Sequence, residues 1–524
     1  MEDQSILKMI DDLSSEVKDV GQFLWENAEQ GYHEYKSSDY LARAYESHGF
    51  YVYRGIGGFP TGFFAEWCLD NKKSPCICFL SDFDALPGLS LIKEGGCGHG
   101  CMHNQYAARA FGTAVGLKNY MEKHGIPGKI LVCGAPAEEA GGSKQYLVAQ
   151  GLLDEVDIFI GLHPVSHVNG VMFNRHLAST SHTYYFRGNT AHAALCPEKG
   201  DNALSAMEYF DIGVQFLRAQ LPSTVRINNV IRKAGLTSNM IADYAEVEYS
   251  LRAIDLETLN EICRQVDQVA CSAAQALRCS VEIQDNGRLA NSIPNYELAK
   301  IVHQHALELG PPAYSEEDNI SAAKKGFTSG YLPQITDLAK EPSIILGSTD
   351  EGDISWLAPW IRINMVNFPQ GVPGHSKSEV FYAGSNASYI GTILTIKLAT
   401  LVVLDLLQHP EKIRAAKEEH TKQIENKTYI PVRNHFPEPA YFPRIPEIRL
   451  EGHQLLLDFE NSRYYYFLKE NSIRVVNKNG DIIARGTLNT KKTLMLELEP
   501  ENSRANDLRI DFLQGDIWGC LGYI

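Results

Sequence analysis

The sequence predicts an α/β protein: a mixed, mostly parallel sheet covered by helices, interrupted by an inserted ferredoxin-like α+β module and followed by a C-terminal antiparallel β domain. Three observations predict it. In the first third, short apolar runs alternate with stretches of helical periodicity, the pattern of strands covered on both faces by helices. Between Ser181 and Asn286 the order becomes strand, helix, strand, strand, helix, strand, which is that of a ferredoxin-like module. From Ile448 onward, short alternating segments are separated by turn signals, the mark of an antiparallel sheet.

Apolar residues at helical spacing predict helices over 7–28 and 37–48, and apolar runs predict strands over 62–67, 75–80, 129–133 and 156–162. Helices over 106–124 and 142–151 separate several of these. In the inserted module, strands fall at 182–186, 225–233, 245–252 and 280–284, with helices over 202–221 and 256–277. The sheet then resumes, with a helix over 297–309, strands at 343–346 and 361–366, and a long helix over 383–407. A charged helix over 411–426 leads into an extended linker punctuated by Pro431, Pro437, Pro439, Pro443 and Pro446. Asn479-Gly480 marks a hairpin turn in the last segment. The expected domains are a discontinuous one over 1–178 and 288–410, an inserted one over 179–287, a linker over 411–447, and a small β domain over 448–524. No chemical signature attaches to the last of these, and its pattern suits packing or oligomerisation.

At 524 residues the chain exceeds what one core supports, and a hydrophobic fraction of 44% is ample for several. The longest apolar run, 393–407, is interrupted by Lys397 and reads as a buried helix rather than a membrane span. The acidic start Met1-Glu2-Asp3-Gln4 has no secretory pattern, and the 11 cysteines are scattered rather than framed, so reduced thiols in a cytoplasm are expected. A net charge of −16 argues against nucleic acid and anionic membranes as partners.

Chemistry concentrates at strand exits. Gly98-His99-Gly100-Cys101-Met102-His103-Asn104 sets a thiol and an imidazole two residues apart at the mouth of a predicted helix. Glu138-Glu139 follow a strand inside a glycine-flanked stretch, and His163 ends an apolar run that Pro164 stops. Asp82 and Asp84 lie just past another strand. Loops beyond the carboxyl ends of such a sheet share one rim, so one place can collect all of them. With the late His375, they supply enough soft and hard ligands for two divalent metals. Cysteine and histidine suit zinc and its neighbours, while a carboxylate pair provides one ligand and one general base. Singly each candidate is weak, since a lone cysteine is usually a small buried hydrophobe and a Glu-Glu pair a helix surface. Together they point to hydrolysis of an amide by metal-activated water.

These motifs resemble a known family. Ser81-Asp82-Phe83-Asp84-Ala85-Leu86-Pro87, the Gly-Cys-Met-His-Asn segment, Ala135-Pro136-Ala137-Glu138-Glu139, Gly161-Leu162-His163-Pro164 and Pro373-Gly374-His375-Ser376 look like the dinuclear metal amidohydrolases of the aminoacylase and carboxypeptidase G superfamily. Within that superfamily they are similar to the branch of auxin-conjugate hydrolases and bacterial peptidases. The Gly98–Asn104 segment and Ser348-Thr349-Asp350-Glu351-Gly352-Asp353-Ile354-Ser355-Trp356 are most similar to the aminobenzoyl-glutamate hydrolase and β-alanyl-lysine dipeptidase groups. The resemblance spans residues 1–408 and leaves out the tail.

By matching motif, the resemblance implies Cys101, His103, Glu139, His163 and His375 as ligands of two divalent ions, with Zn2+ the first expectation and Mn2+ or Co2+ open. It implies Glu138 as general base and then acid, and Asp84 as the residue that orients a ligand. Asp82 stands where other branches have a ligand histidine, and is expected behind the ligands rather than among them. The inserted module resembles a dimerisation lid, whose His192 reaches the partner's active site and whose Asn239 and Arg252 hold a substrate carboxylate. A homodimer acting on a small amide follows: an N-acyl amino acid, an aminobenzoyl-glutamate-like amide or a dipeptide. Met102 stands where glycine is usual, adding a side chain beside the metals; Leu236 and Ala242 depart from a glycine and a proline in the lid. Two rivals remain, a cysteine hydrolase using Cys101 with His99 or His103, and a non-catalytic metal-containing binding protein on the same fold.

Overall fold

The structure, a computed structural model, describes residues 2–69, 74–429 and the strand segments 447–451, 454–458, 472–477, 482–487, 493–497, 508–514 and 517–523. The five linker prolines and the Asn479-Gly480 turn lie outside the described residues.

Helices α1 (Glu2–Asp12), α2 (Ser14–Glu26) and α3 (Tyr35–Ser47) open the chain. The single helix expected over 7–28 is therefore two, broken at Leu13, with Val17, Val20 and Leu24 buried along the second. The first sheet begins with β1 (Tyr51–Arg54), β2 (Phe63–Leu69) and β3 (Cys76–Asp82), followed by α4 (His103–His124), β4 (Gly128–Ala135), α5 (Lys144–Ala149) and β5 (Ile158–Gly161). Next come β6 (Gly170–Met172), β7 (Asn174–His176) and β8 (Ala178–Arg187), then α6 (Ala203–Arg218), β9 (Arg226–Ala234), β10 (Tyr244–Ala253), α7 (Leu256–Ala276) and β11 (Ser280–Leu289). The chain then forms α8 (Tyr296–Leu309), α9 (Glu316–Lys324), β12 (Ser343–Ile345), α10 (Glu351–Ile354), β13 (Trp360–Asn364), α11 (Lys377–Ala383), α12 (Ser388–Gln408) and α13 (Pro410–Ile424). The long helix expected over 383–407 starts at Ser388, after a break that separates it from α11.

Seven strands form the first sheet in the order β1-β2-β4-β3-β5-β13-β6. Its centre, β4-β3-β5-β13, is parallel, and antiparallel strands flank it on both sides. All seven residues of β3 are buried, as a strand covered on both faces requires. α4 and α12 pack together over this sheet, and α12 is the one helix among the described residues long and apolar enough to cross a membrane. Ile396, Leu398, Ala399, Val402 and Val403 of α12 are instead buried in the core.

The module from β8 to β11 forms a separate four-stranded antiparallel sheet ordered β11-β8-β10-β9, the ferredoxin-like arrangement. α6 and α7 cover one face with their own core, including Phe210, Val214, Leu259 and Val266. Asn202 and Asp255 cap the two helices through their side chains. The last strand segments pair as two antiparallel sheets, of three and four strands.

Candidate metal centre

The carboxyl ends of three parallel strands deliver the side chains. Asp84 follows β3, Glu138 and Glu139 follow β4, and His163 follows β5, while Cys101 and His103 sit in the turn that opens α4. His375 arrives from the loop before α11, its N–H donating to Gly100 O at 2.8 Å and to Glu379 Oε2 at 2.9 Å. Met102, Ala137 and His375 have left-handed backbones, with φ of 57°, 62° and 55°. For such residues this costs about 1–2 kcal/mol each. All three carry or adjoin candidate ligands, where strain is held in place by the surrounding structure.

Asp84 does two jobs. Its Oδ1 lies 2.7 Å from His103 Nδ1, and its Oδ2 accepts the Glu139 N–H at 2.9 Å. His163 turns Nδ1 to Pro164 O at 2.9 Å and brings Nε2 within 3.4 Å of Cys101 Sγ. The carbonyl can only accept, so Nδ1 holds the proton and the Nε2 lone pair faces the thiol. His375 Nε2 is 3.4 Å from Glu139 Oε1. Three sets of ligand atoms each lie within 4.8 Å of one another: Cys101, His103 and His163; Cys101, Glu139 and His375; His103, Glu138 and Glu139. The first two share the Cys101 sulfur. The buried Nε2 of His103 and Oε1 of Glu139 have no hydrogen-bond partner. Orphaned acceptors beside a thiol and a second imidazole fit a divalent cation, and this donor set fits zinc.

The electrostatics describe a cluster of mutually compensating charges. Burial works against it, yet Asp84 lifts His103 well above the ordinary imidazole value. Contact with Cys101, and then with Glu139, lifts His375 to about 10. Burial, with Asp350 adding to it, pushes Glu138 up to about 8. Burial also raises the Cys101 thiol, the opposite of what an unaided thiolate nucleophile requires.

Behind the cluster lies a buried network. Lys144 Nζ joins Asp82 Oδ1 at 2.6 Å and Asp350 Oδ1 at 2.7 Å. Asp82 therefore faces a lysine and belongs to none of the three ligand sets. Asp350 Oδ2 also accepts the N–H groups of Ser143 and Lys144 at 3.0 and 3.2 Å. This approach needs glycine at Gly142, where φ is +80° and a Cβ would sit 2.6 Å from that of Asp350. Glu351 accepts from Tyr106, Trp360 and Arg362, each at 2.8 Å, and Thr349 Oγ1 donates to Glu138 Oε1 at 2.9 Å. Glu34 accepts the Ala137 N–H at 2.8 Å, fixing the left-handed turn before Glu138. Of these residues, Lys144, Arg362, Glu34 and Glu379 carried no pattern in the sequence. Thr349, Asp350 and Glu351 lay in a motif whose resemblance was visible but whose contacts were not.

The lid candidates fall into two groups. Arg252 Nη1 reaches Ser348 Oγ at 3.4 Å, beside Thr349. His192 and Asn239 are exposed, sit on segments joined by the Ala193 N–H to Asn239 O bond of 3.0 Å and a His192–Met240 bridge, and make no hydrogen bond to the cluster of their own chain. Ala242 is buried and Leu236 is 88% exposed, away from the metal cluster's hydrogen bonds. The reading of Met102 as a side chain beside the metals is corrected. It is fully buried in an apolar cluster with Phe368, Val372, Tyr382 and Ala383. Apolar burial decides its direction, and the backbone pays with a positive φ.

Residues 176–276 match the peptidase dimerisation domain of M20 enzymes. The chain is 28% identical to one of the p-aminobenzoyl-glutamate hydrolase subunits of Escherichia coli, over 81% of its own length and 97% of that protein's. It is 27% identical to the Xaa-Arg dipeptidase of Mus musculus, over 80% of this chain and 92% of the relative. These matches support the M20 amidohydrolase family. The same fold occurs in a putative aminohydrolase from methicillin-resistant Staphylococcus aureus, with a TM-score of 0.61 and 20% identity, over 77% of this chain and 100% of that one. With hydrolases and dipeptidases as its relatives, the protein is an enzyme, a metal-dependent hydrolase of amide bonds. A non-catalytic role finds no support among these relatives.

Proposed function

We propose that this M20 enzyme binds two divalent ions, Zn2+ first among Zn2+, Mn2+ and Co2+, through Cys101, His103, Glu139, His163 and His375. It would hydrolyse a small N-acyl amino acid, an aminobenzoyl-glutamate-like amide or a dipeptide. One observation carries the reading: two ligand sets meet at the Cys101 sulfur, while the buried His103 Nε2 and Glu139 Oε1 have no hydrogen-bond partner and Glu139 Oε1 meets His375, itself a candidate ligand, at 3.4 Å. When bound, such ions make water acidic enough to lose a proton near neutrality and polarise a carbonyl. The chain's own groups do the rest. Glu138 takes the proton from water and returns it to the departing amine, work suited to a carboxyl that burial holds above its ordinary value. Asp84 orients His103, and Arg252 holds the free carboxylate of the substrate.

The 176–276 match and the apolar outer face of α6 support a homodimer through the lid. Tyr209, Ile212 and Phe216 are 55%, 51% and 70% exposed on one side of that helix, and β9 is a free sheet edge bearing exposed Val230 and Ile231. In that dimer, His192 of one protomer would donate to the carbonyl oxygen in the other's site. The ten cysteines that precede the last strand segments are free thiols, which suits a cytoplasmic enzyme. Metal analysis joined to amine release from a panel of N-acyl amino acids, aminobenzoyl-glutamate and dipeptides tests the reading. Activity lost to a chelator and regained with Zn2+, Mn2+ or Co2+ is the expected result; release indifferent to chelation sinks it.

A further inference from the structure

The 348–353 segment, singled out in the sequence, is not accounted for by metal binding, and its first two side chains meet the catalytic machinery. Thr349 is 4% exposed and donates to Glu138 Oε1 at 2.9 Å. A hydroxyl has one proton and two lone pairs. Here both lone pairs face donors: Arg362 Nη2 at 3.3 Å and the Glu351 N–H at 3.4 Å. Arg362 cannot swing away, because its Nε donates to Glu351 Oε2 at 2.8 Å and its Nη1 lies 3.2 Å from His176 Nε2. Glu351 is itself held by Tyr106 and Trp360, each at 2.8 Å. With donors on its other sides, the Thr349 proton has one acceptor left, Glu138 Oε1.

We propose that Thr349 is a positioning residue that confines the proton carried by Glu138 to a single carboxylate oxygen, Oε2. A proton on Oε1 would confront the Thr349 O–H, leaving two hydrogens between two oxygens, whereas no described residue hydrogen-bonds Oε2. Water therefore gives its proton to Oε2 as its oxygen adds to the amide carbon. The same proton passes from Oε2 to the amine nitrogen as the C–N bond breaks. Atoms balance as amide plus water giving acid plus amine, with Glu138 regenerated as carboxylate. Thr349 never changes protonation; it holds the carboxylate plane and selects the oxygen. The role rests on the reading of Glu138 as the proton carrier.

The test compares Thr349→Val, which keeps the shape and removes the hydroxyl, with Thr349→Ser, which keeps the hydroxyl. Kinetics use the amide that releases amine fastest in the panel, with metal content and thermal melting measured in parallel. Thr349→Val should lose about ten- to a hundredfold in kcat, the scale of a misplaced catalytic group, with KM and bound metal unchanged. Thr349→Ser should stay within about threefold of the parent, as expected when the bond rather than the methyl matters. Adding Thr349→Val to Glu138→Gln should cost nothing further, because the two act as a unit. A Thr349→Val kcat within about twofold of the parent, a Thr349→Ser loss as large as that of Val, or additive losses in the double variant each overturn the proposal. Should the Val variant fail to fold, Thr349→Ala supplies the same comparison. Normal turnover by Glu138→Gln would instead overturn the reading of Glu138 itself, while an inactive Glu138→Gln beside an unaffected Thr349→Val rejects the role of Thr349 alone.

Discussion

Asp84 binds the two halves of the candidate metal centre at once: His103 Nδ1 at 2.7 Å on one oxygen, and the Glu139 N–H at 2.9 Å on the other. The first contact turns Nε2 of the imidazole toward the cluster, and the second holds the loop that carries both glutamates. A carboxylate behind a ligand histidine fixes its tautomer and raises its basicity.

Asp84→Asn should therefore weaken metal binding by about 10–100-fold without unfolding the protein. The amide oxygen can still accept from His103, but its NH2 group would meet the Glu139 N–H, donor against donor. Competition against a chelator of known affinity measures the change. Metal affinity equal to the parent's would show that Asp84 is only structural.

Met102→Gly sets two effects against each other. Glycine removes a strain of about 1–2 kcal/mol at a φ of 57°. It also empties the apolar site beside Phe368 and Tyr382, and removing a buried methionine side chain costs about 2–5 kcal/mol. At the middle of both ranges packing wins, so the variant should be less stable by about 2 kcal/mol. Denaturant unfolding checks the sign, and KM should hardly change.

Asp353 provides a pH dependence away from the cluster. Burial lifts its carboxyl to about 7, against hydrogen bonds from the Ala290 N–H and the Tyr429 hydroxyl. Between the ordinary value of 3.8 and about 7, the folded state holds a proton that the unfolded chain has lost. Stability from this group therefore falls as pH rises through that window. Asp353→Asn should flatten that part of the slope in melting temperature measured from pH 4 to 8. An unchanged slope would assign it to other groups.

Phe216→Asp places a charge on the exposed apolar face of α6. If that face joins two copies, the dimer should weaken by at least about tenfold, as at a buried aromatic anchor. Light scattering across a dilution series reads the mass directly. Amine release should fall with the dimer, since His192 makes no hydrogen bond to its own chain's cluster. A variant of parental mass rules out this face.

The strand-and-helix order was legible because local periodicity records which faces are buried. The apolar run of β3 up to Leu80 and the β8–β11 order read directly from residue type, whereas the buried Ser81 and Asp82 that continue β3 did not. The same signal set Asp84, Glu138, Glu139 and His163 just beyond strand ends, since apolar runs stop where the rim begins. It did not show the break at Leu13, where no proline or glycine stands. Nor did it show the one before Ser388, where Gly384 by itself is a weak signal inside an apolar pattern.

Residue order in one chain was thus enough for the layers, the inserted module and the kinds of side chain at the rim. Only folding in three dimensions assigned partners: His375 to Gly100, Asp82 to Lys144, Thr349 to Glu138, and Met102 to an apolar cluster rather than to the centre. Periodicity is a short-range property of neighbouring residues. Which distant polar atom satisfies a buried donor is chosen by packing, because each unpaired group costs too much to leave alone.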